Sequence, residues 1–356
     1  GGHYGYRTYT TINGVGGDIV AVQKKMLQNS GAELRVDTKL VQLYREAEGD
    51  KKVVGVRVQN KDGSFTNIAA TKGVIMASGG FSADVEMRMA NNTQWADLGP
   101  SVPTTNHPGA TGEGIKIAQA VGAAVTQMDY IQLYPFANPI NGVLDATAVI
   151  PFSGPSSGVV YVDSQGKRYV NEGERRDVCA NGAMNSGGFP TFCIFNQNIK
   201  DNAGFIADSQ LADGMAANRI IKADTLEELA ALLNEIDFKG QKVNIDGATL
   251  KATIETHNTY VQNENDPDFG KVIDKGVMLT MEEGPYYAVP QWPSVHHTMG
   301  GLMINRMTQV LDADGNIIPN LYGAGEVTGG VHGTNRLGSN AIPDACVHGM
   351  IAGTVA

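Results

Sequence analysis

The chain has 356 residues and a formal net charge of −10, long enough for two domains and of the wrong sign for nucleic acid, whose phosphates need clustered Lys and Arg. No apolar run reaches the roughly 18 residues of a membrane span, and the polar, glycine-rich start GGHYGYRTYTT is not a signal peptide. Cys179, Cys193 and Cys346 stand far apart with no CxxC, which excludes covalent haem and iron–sulfur ligation within the chain and leaves no disulfide framework or metal site to expect.

In chain order, DIVAVQKKMLQNSGAEL has helical spacing, with Ile19, Val22, Met26 and Leu27 on one face and Gly31 at its end. VQLYRE, VVGVRVQ and SFTNIAA alternate like strands between EGDKK and NKDGS turns. GVIMASGGF is a continuous apolar run ending in Gly79-Gly80, which predicts a buried strand that stops at a ligand. TGEGIKIAQAVGA predicts a helix whose start, Gly112 to Gly114, is open to an anion or a ring. From about Tyr134 the pattern changes to mixed strands, loops and amphipathic helices. TLEELAALLNEI opens with a Thr225/Glu228 capping box, and TLKATIETHNTYVQNE is a second helix of similar kind. After Val295 the glycine-rich style returns through GLMIN, a DADGN turn and LYGAGE, and NAIPDACVHGMIAGTVA closes as a helix. One style, an intervening block and the first style again predict a domain inserted into another.

The 44 glycines fall in short clusters, as expected where backbone repeatedly approaches a ligand. GVGGDI at 14–19 imitates a dinucleotide fingerprint, but its sixth residue is Ile19 and no strand precedes it, so a turn into a helix is expected. SGGF and YGAGE are better placed, each after an apolar strand, and read either as ligand loops or as ordinary strand-end turns. Glu326 is either an acceptor for ribose-like hydroxyls or a surface carboxylate. In VHHTMGG the two histidines must point to opposite faces of a strand, so only one can look into a given site, toward something flat on the glycine backbone.

Taken together, HHTMGG, IPNLYGAGEVTGGVHGTNRLGSNAI and GKRYVNEGERRD resemble the soluble fumarate reductase/succinate dehydrogenase flavoprotein family, which includes urocanate reductases and other 2-enoate reductases. The likeness covers nearly the whole chain. It implies an α/β fold in which an FAD-binding Rossmann-like domain of glutathione-reductase type is interrupted by an inserted α+β capping domain. Residues 1–133 and 295–356 would form the FAD-binding domain and 134–294 the cap, with substrate held between cap and flavin. The cofactor implied is FAD, with Ser78, Gly79, Gly80, Thr111, Gly112, Gly325, Glu326, Asn340, Ala341 and Ile342 as its ligands. Asn340 and Ala341 open a helix whose positive end would face the flavin pyrimidine. The family's N-terminal strand–GxGxxG–helix, which holds the ADP moiety of FAD, is not in this sequence. FAD is therefore expected to be weak or absent here unless an N-terminal segment or another chain supplies that module.

The activity implied is reduction of the C=C bond of an α,β-unsaturated carboxylate (urocanate, an aryl acrylate or fumarate) by hydride transfer from flavin N5. An electron-donor protein, domain or reduced cofactor would be the partner. Arg336, whose guanidinium fork matches a carboxylate, and His296 would bind the acid, while His297 faces away. Arg176 matches the family's proton donor, although on physical grounds a guanidinium with a pKa above ~12 suits electrostatic stabilisation of an enolate better than acid catalysis. Arg175 is expected to face solvent or a surface carboxylate. Tyr134 stands where fumarate-reducing members carry histidine and urocanate reductase-like members a tyrosine. The Thr-Glu pair and arginine that relay protons in fumarate reductases fall on Ala146, Thr147 and Ile150, so that relay is missing, and Thr147 stays as a substrate-binding candidate. A ring-bearing acid is thus expected over fumarate, with the Tyr134 phenol as both stacking surface and hydrogen-bond partner. The same machinery run as a succinate or 3-ketosteroid dehydrogenase, and a cofactor-free fragment or subunit needing a partner chain, remain open. A soluble protein is expected, in the cytoplasm or periplasm.

Overall fold

The computed structural model describes residues 8–12 and 15–356, so Asn13 and Gly14, at the head of GVGGDI, lie outside the described residues. Two compact units emerge, each drawn from separate stretches of chain. One takes the chain up to Phe81 with Gly112–Tyr130 and Thr298–Ala356; the other takes Ser82–Thr111 and Ile131–His297. No helix among the described residues is long and apolar enough to cross a membrane.

In the first unit the leading helix runs Gly16–Ser30 and stops at Gly31, whose φ of 77° is a left-handed conformation that glycine adopts without strain. Its Val22 and Met26 are exposed among the described residues. The three alternating segments form an antiparallel meander of Lys39–Arg45, Val53–Gln59 and Phe65–Ala69, with Leu43, Val53 and Val58 buried. Val74–Met76 is a strand of three residues, parallel to Ile317–Gly323, which in turn pairs with Gln309–Leu311. The apolar run predicted burial on both faces, yet Ile75 is 40% exposed. The reason is position: this strand is last in its sheet among the described residues. The closing helix spans Ala341–Val355.

The second unit is built on a five-stranded sheet. Its order is Ile131–Ala137, Tyr286–Thr298, Thr191–Asn196 and Val160–Val162, with Ile221–Ala223 also pairing with the long Tyr286–Thr298 strand. Every residue of Thr191–Asn196 is buried, in register from Tyr286↔Asn196 to Gln291↔Thr191. Phe192 and Ile194 join Leu229, Leu233, Leu250 and Ile254 of two amphipathic helices in one core. The first of those helices, Leu226–Glu235, starts as its sequence predicts, with Thr225 Oγ1 accepting from the Glu228 N–H at 3.1 Å. The return arm differs by one residue, because the Glu228 carboxylate accepts from the Asp224 N–H at 3.3 Å.

Residues 82–111, assigned by sequence to the first FAD-binding stretch (residues 1–133), pack into the second unit. A buried arginine winds the segment together, and bonds from Trp95 and Thr105 tie it to the second unit. Arg88 is 2% exposed, and its guanidinium donates to the carbonyls of Ser82 (3.1 Å), Gly99 (3.2 Å) and Val102 (3.1 Å), winding the segment around itself. Trp95 Nε1 then donates to the Ile131 carbonyl at 2.7 Å, and the Thr105 N–H to that of Val295 at 2.9 Å.

His257, on the helix Gly247–Asn263, is 1% exposed, and burial, reinforced by the nearby Lys271 ammonium, pushes its pKa down to about 3. A histidine whose folded pKa lies below its unfolded value of 6.5 contributes stability above pH 6.5 that is lost as pH falls toward 3. The expected slope from this group alone approaches about 1.4 kcal/mol per pH unit. Denaturant melts of wild type and His257→Gln at pH 7, 5.5 and 4.5 check it. The wild type's stability relative to the variant should fall with pH, and a constant difference would show that His257 is not held neutral by the fold.

Candidate active site

Tyr134 lies on the strand Ile131–Ala137, all seven residues of which are buried. The ring of His296 approaches it to 5.2 Å between centroids, tilted by 47°. Strand alternation separates the histidine pair: His297 is 3% exposed, and His296 is the partly open one. Thr105 Oγ1 sits 2.7 Å from His296 Nδ1, which sets the rotation of the imidazole.

Arg176 is the first residue of the helix Arg176–Asn185. Its Cζ stands 5.0 Å from the ring centroid of Tyr134 and 5.2 Å from that of Phe152, so two aromatic rings hold the guanidinium. Among the described residues no carboxylate pairs with it, and burial lowers its pKa with only Tyr134 opposing. Arg175 behaves differently: its side chain is 74% exposed and bonds Asp177 at 2.9 Å. Burial pushes the Tyr134 phenol up to about 12, against the pull of Arg176, so it stays neutral at physiological pH. Its hydroxyl has no hydrogen-bond partner among the described residues. With Arg176 over the ring and Phe136 edge-on at 5.6 Å, the expected stacking face is largely taken and the hydroxyl is the feature left.

Thr147 differs from its expectation as a substrate ligand. It is 3% exposed, its hydroxyl donates to Asp145 Oδ1, and Arg219 Nη2 donates to it at 3.2 Å. Arg219 Nε also binds Asp145 Oδ2 at 2.6 Å, so an ion pair reached from a remote loop has claimed the threonine. Ala146 opens the same short 3-10 turn, and Ile150, fully buried, packs into the core with Tyr134.

The first unit holds the glycine motifs. A Cβ on Gly80 would sit 2.1 Å from Thr298 Oγ1 and 2.5 Å from Glu326 Oε1, so only glycine lets the three segments meet. Glu326 Oε1 accepts from the Thr298 N–H at 2.9 Å and its hydroxyl at 3.2 Å, and the Phe81 N–H donates to that hydroxyl at 3.2 Å. Burial raises the Glu326 pKa in spite of those bonds, and the half-buried carboxylate ties its loop to Thr298. The Gly112 N–H is spent on the Gly80 carbonyl at 3.1 Å, and the bare Gly114 makes room for Ser78. The predicted open helix start at Gly112 to Gly114 is thus occupied by the 78–80 loop. The Thr111 N–H is likewise bonded, to Gly109 O at 2.9 Å.

Arg336 is 6% exposed, and its Nη1 donates to the Leu337 carbonyl at 3.0 Å. Asn340 precedes the helix Ala341–Val355 without capping it by its side chain, and Ile342 is 49% exposed. Asp344 accepts from His332 Nε2 at 3.0 Å and also bonds His348 Nδ1, tying the GVHG loop to that helix. Around Gly79, at φ 78°, an added Cβ would meet nothing within 4 Å among the described residues. Bare glycine backbone for a flat ring, Gly325 at φ 74°, and the amide end of a 15-residue helix for negative charge make a donor set that fits the flavin of FAD.

Sequence reasoning missed Thr105, Phe152, Asp145 and Arg219. None sits in a motif. Asp145, two residues before Thr147, was the one local signal, since an Asp that precedes a turn commonly accepts from the amide two residues on, here at 3.0 Å.

Residues 3–342 match the family described as FAD binding domain. An NADH:acrylate oxidoreductase of Vibrio harveyi is 37% identical over 329 residues, 92% of this chain and 31% of that protein. A fumarate reductase (cytochrome) of Shewanella frigidimarina is 35% identical over 343 residues, 96% of this chain and 54% of the relative. A urocanate reductase of Eggerthella lenta is 33% identical over 356 residues, 99% of this chain and 55% of the relative. The chain therefore spans about half or less of the length of these relatives. Among solved structures, the open conformation of a flavocytochrome c3 fumarate reductase aligns with a TM-score of 0.79 at 31% identity, covering 98% of this chain and 57% of that one.

Proposed function

Because the chain belongs to the FAD binding domain family, with fumarate, urocanate and acrylate reductases among its relatives, we propose that it is the substrate-reducing portion of an FAD-dependent reductase of acrylate-type acids. The observation that carries this reading is Arg176, a guanidinium held by two rings, without a carboxylate partner among the described residues, beside His296 through their common neighbour Tyr134. Bound FAD supplies the hydride. The chain's own residues hold the acid and deliver the proton. His296, its Nδ1 engaged by Thr105, presents Nε2 to the substrate carboxylate. On the likeness of its TNRLGS motif, Arg336 is also assigned to carboxylate binding, a role its guanidinium fork suits. As charge develops toward an enolate, Arg176 first stabilises it and then gives a guanidinium proton to the α-carbon. Burial without a counter-ion favours that transfer, because it lowers the pKa of the donor.

At the far end of the substrate the only donor we assign is the neutral Tyr134 hydroxyl, since the Thr147 hydroxyl is already bonded. A second carboxylate buried there costs several kcal/mol. We therefore assign acids with a neutral or absent β substituent, such as acrylate or the ring-bearing urocanate, ahead of fumarate. In FAD-loaded protein with a reduced dye as donor, kcat/KM for acrylate or urocanate should exceed that for fumarate at least about tenfold, which needs only ~1.4 kcal/mol of differential transition-state binding. Tyr134→His should narrow the ratio. A wild type that prefers fumarate overturns the substrate assignment, and FAD-loaded protein inactive on all three acids overturns the reductase reading.

A further inference from the structure

The second unit buries a cluster of two cations and two carboxylates that the chemistry above does not use. Arg168 grips Glu172 with two parallel bonds, Nε to Oε1 at 2.7 Å and Nη2 to Oε2 at 2.8 Å, and also reaches Asp266 at 2.8 Å. Lys271 Nζ binds Glu172 Oε2 at 3.0 Å and donates to the Val159 carbonyl at 3.2 Å. The Tyr161 N–H donates to Glu172 Oε1 at 3.2 Å. Asp266 accepts from the N–H groups of Asp268, Phe269 and Lys271, which fixes the loop that carries the lysine. Side-chain exposure is 7% for Arg168, 0% for Glu172, 2% for Lys271 and 1% for Asp266. Burial pushes the Glu172 carboxyl up, but Lys271 and Arg168 more than reverse it, to about 2.

Glu172 lies four residues before Arg176, and the chain between them is tied forward as well, since Cys179 Sγ faces the carbonyls of Asn171 at 4.0 Å and Glu174 at 3.7 Å. Gly173 and Glu174 turn back onto Asn171, through its side chain at 2.9 Å and its carbonyl at 3.1 Å. The helix that begins at Arg176 has no side-chain cap. Arg176 itself is held between the rings of Tyr134 and Phe152, with no hydrogen bond to its guanidinium among the described residues. Its location is set jointly by the anchored turn behind it and by the buried face of its own helix, Cys179, Ala180 and Ala183.

We propose that Lys271, acting through Glu172, is a positioning residue for Arg176. The lysine is almost a hundred positions away in sequence, yet it completes the set of donors that holds the Glu172 carboxylate and so helps fix where the helix, and its first guanidinium, begins. This inference rests on the reading of Arg176 as proton donor.

The test is a double-mutant cycle in the FAD-loaded protein, with acrylate as substrate. Lys271→Met should lower kcat about tenfold or more, since an ångström of misplacement costs up to about 10²-fold. KM for acrylate and flavin content should change little, and the solvent isotope effect on kcat should rise. In an Arg176→Gln background the same substitution should cost nothing further, because its route to the chemistry is gone. Glu172→Gln, which keeps shape and removes charge, serves as the second variant should Lys271→Met fail to fold, and the same pattern is expected of it. A loss of equal size in both backgrounds, or an unchanged kcat in a folded variant, overturns the positioning role. Retention of full activity by Arg176→Gln alone overturns instead the proton-donor reading on which it stands.

Discussion

Replacing Arg176 by glutamine is expected to lower kcat by about 10³-fold or more, since general-acid delivery alone contributes about 10²–10⁴-fold. Glutamine retains an amide that can lie against Tyr134 and Phe152, but it has neither charge nor a proton to give. Two effects are therefore removed at once, stabilisation of the developing enolate and its protonation. KM for the acid should move only a few-fold, because the carboxylate is assigned to other residues, His296 and Arg336. The competing explanation is that Arg176 merely packs between two rings. Cation–π contacts of this kind are worth about 0.5–2 kcal/mol, so on that view the substitution lowers the melting temperature and leaves kcat nearly intact. Arg176→Lys separates charge from geometry. An ammonium keeps the charge, but its flexible stem cannot reproduce the planar fork, and partial recovery is expected. Steady-state kinetics with thermal melts on the three proteins decide the matter, and a near-normal kcat in Arg176→Gln excludes the acid role.

Arg336→Ala should cost about 2–5 kcal/mol in kcat/KM, roughly 30- to 4,000-fold, the usual result of stripping one partner from a buried charged pair. The loss should appear mainly in KM. Flavin content should be close to that of the wild type. Arg336 is 6% exposed, and its charge also helps hold down the pKa of Glu326, so a structural counter-charge is the rival role. The two roles differ in what restores the variant. If Arg336 only balances Glu326, then Glu326→Gln in the Arg336→Ala background should recover both stability and turnover. If Arg336 binds the substrate carboxylate, the double variant stays impaired. Titration of flavin content, melting temperature and KM across the four proteins makes the comparison.

Much of the local architecture was legible because its causes are local. Gly31 ends its helix since only glycine takes the left-handed conformation freely, and Thr225 starts one since its hydroxyl reaches the Glu228 N–H. The histidine pair divides between faces because a strand must alternate. The family, and with it FAD, was legible from three motif blocks whose residues stand close in sequence, and residues 3–342 bear it out.

Tertiary structure decided what depends on partners far along the chain. Nothing near TGEGI signals that the Gly112 N–H is taken by Gly80, or that Gly114 is bare to admit Ser78. Thr147 reads as a free hydroxyl until Arg219, 72 positions away, is found donating to it. Arg88 looks like a surface residue of a short helix, yet it closes three carbonyls of its own segment, which Trp95 and Thr105 then tie to the second unit. Phe152 has no pattern of its own and matters because folding brings Arg176 against it. By itself the sequence determined which residue types are present and where the chain can turn. Which polar group spends its bonds on which partner is set by burial, since a buried donor must be satisfied by whatever the fold brings within about 3 Å.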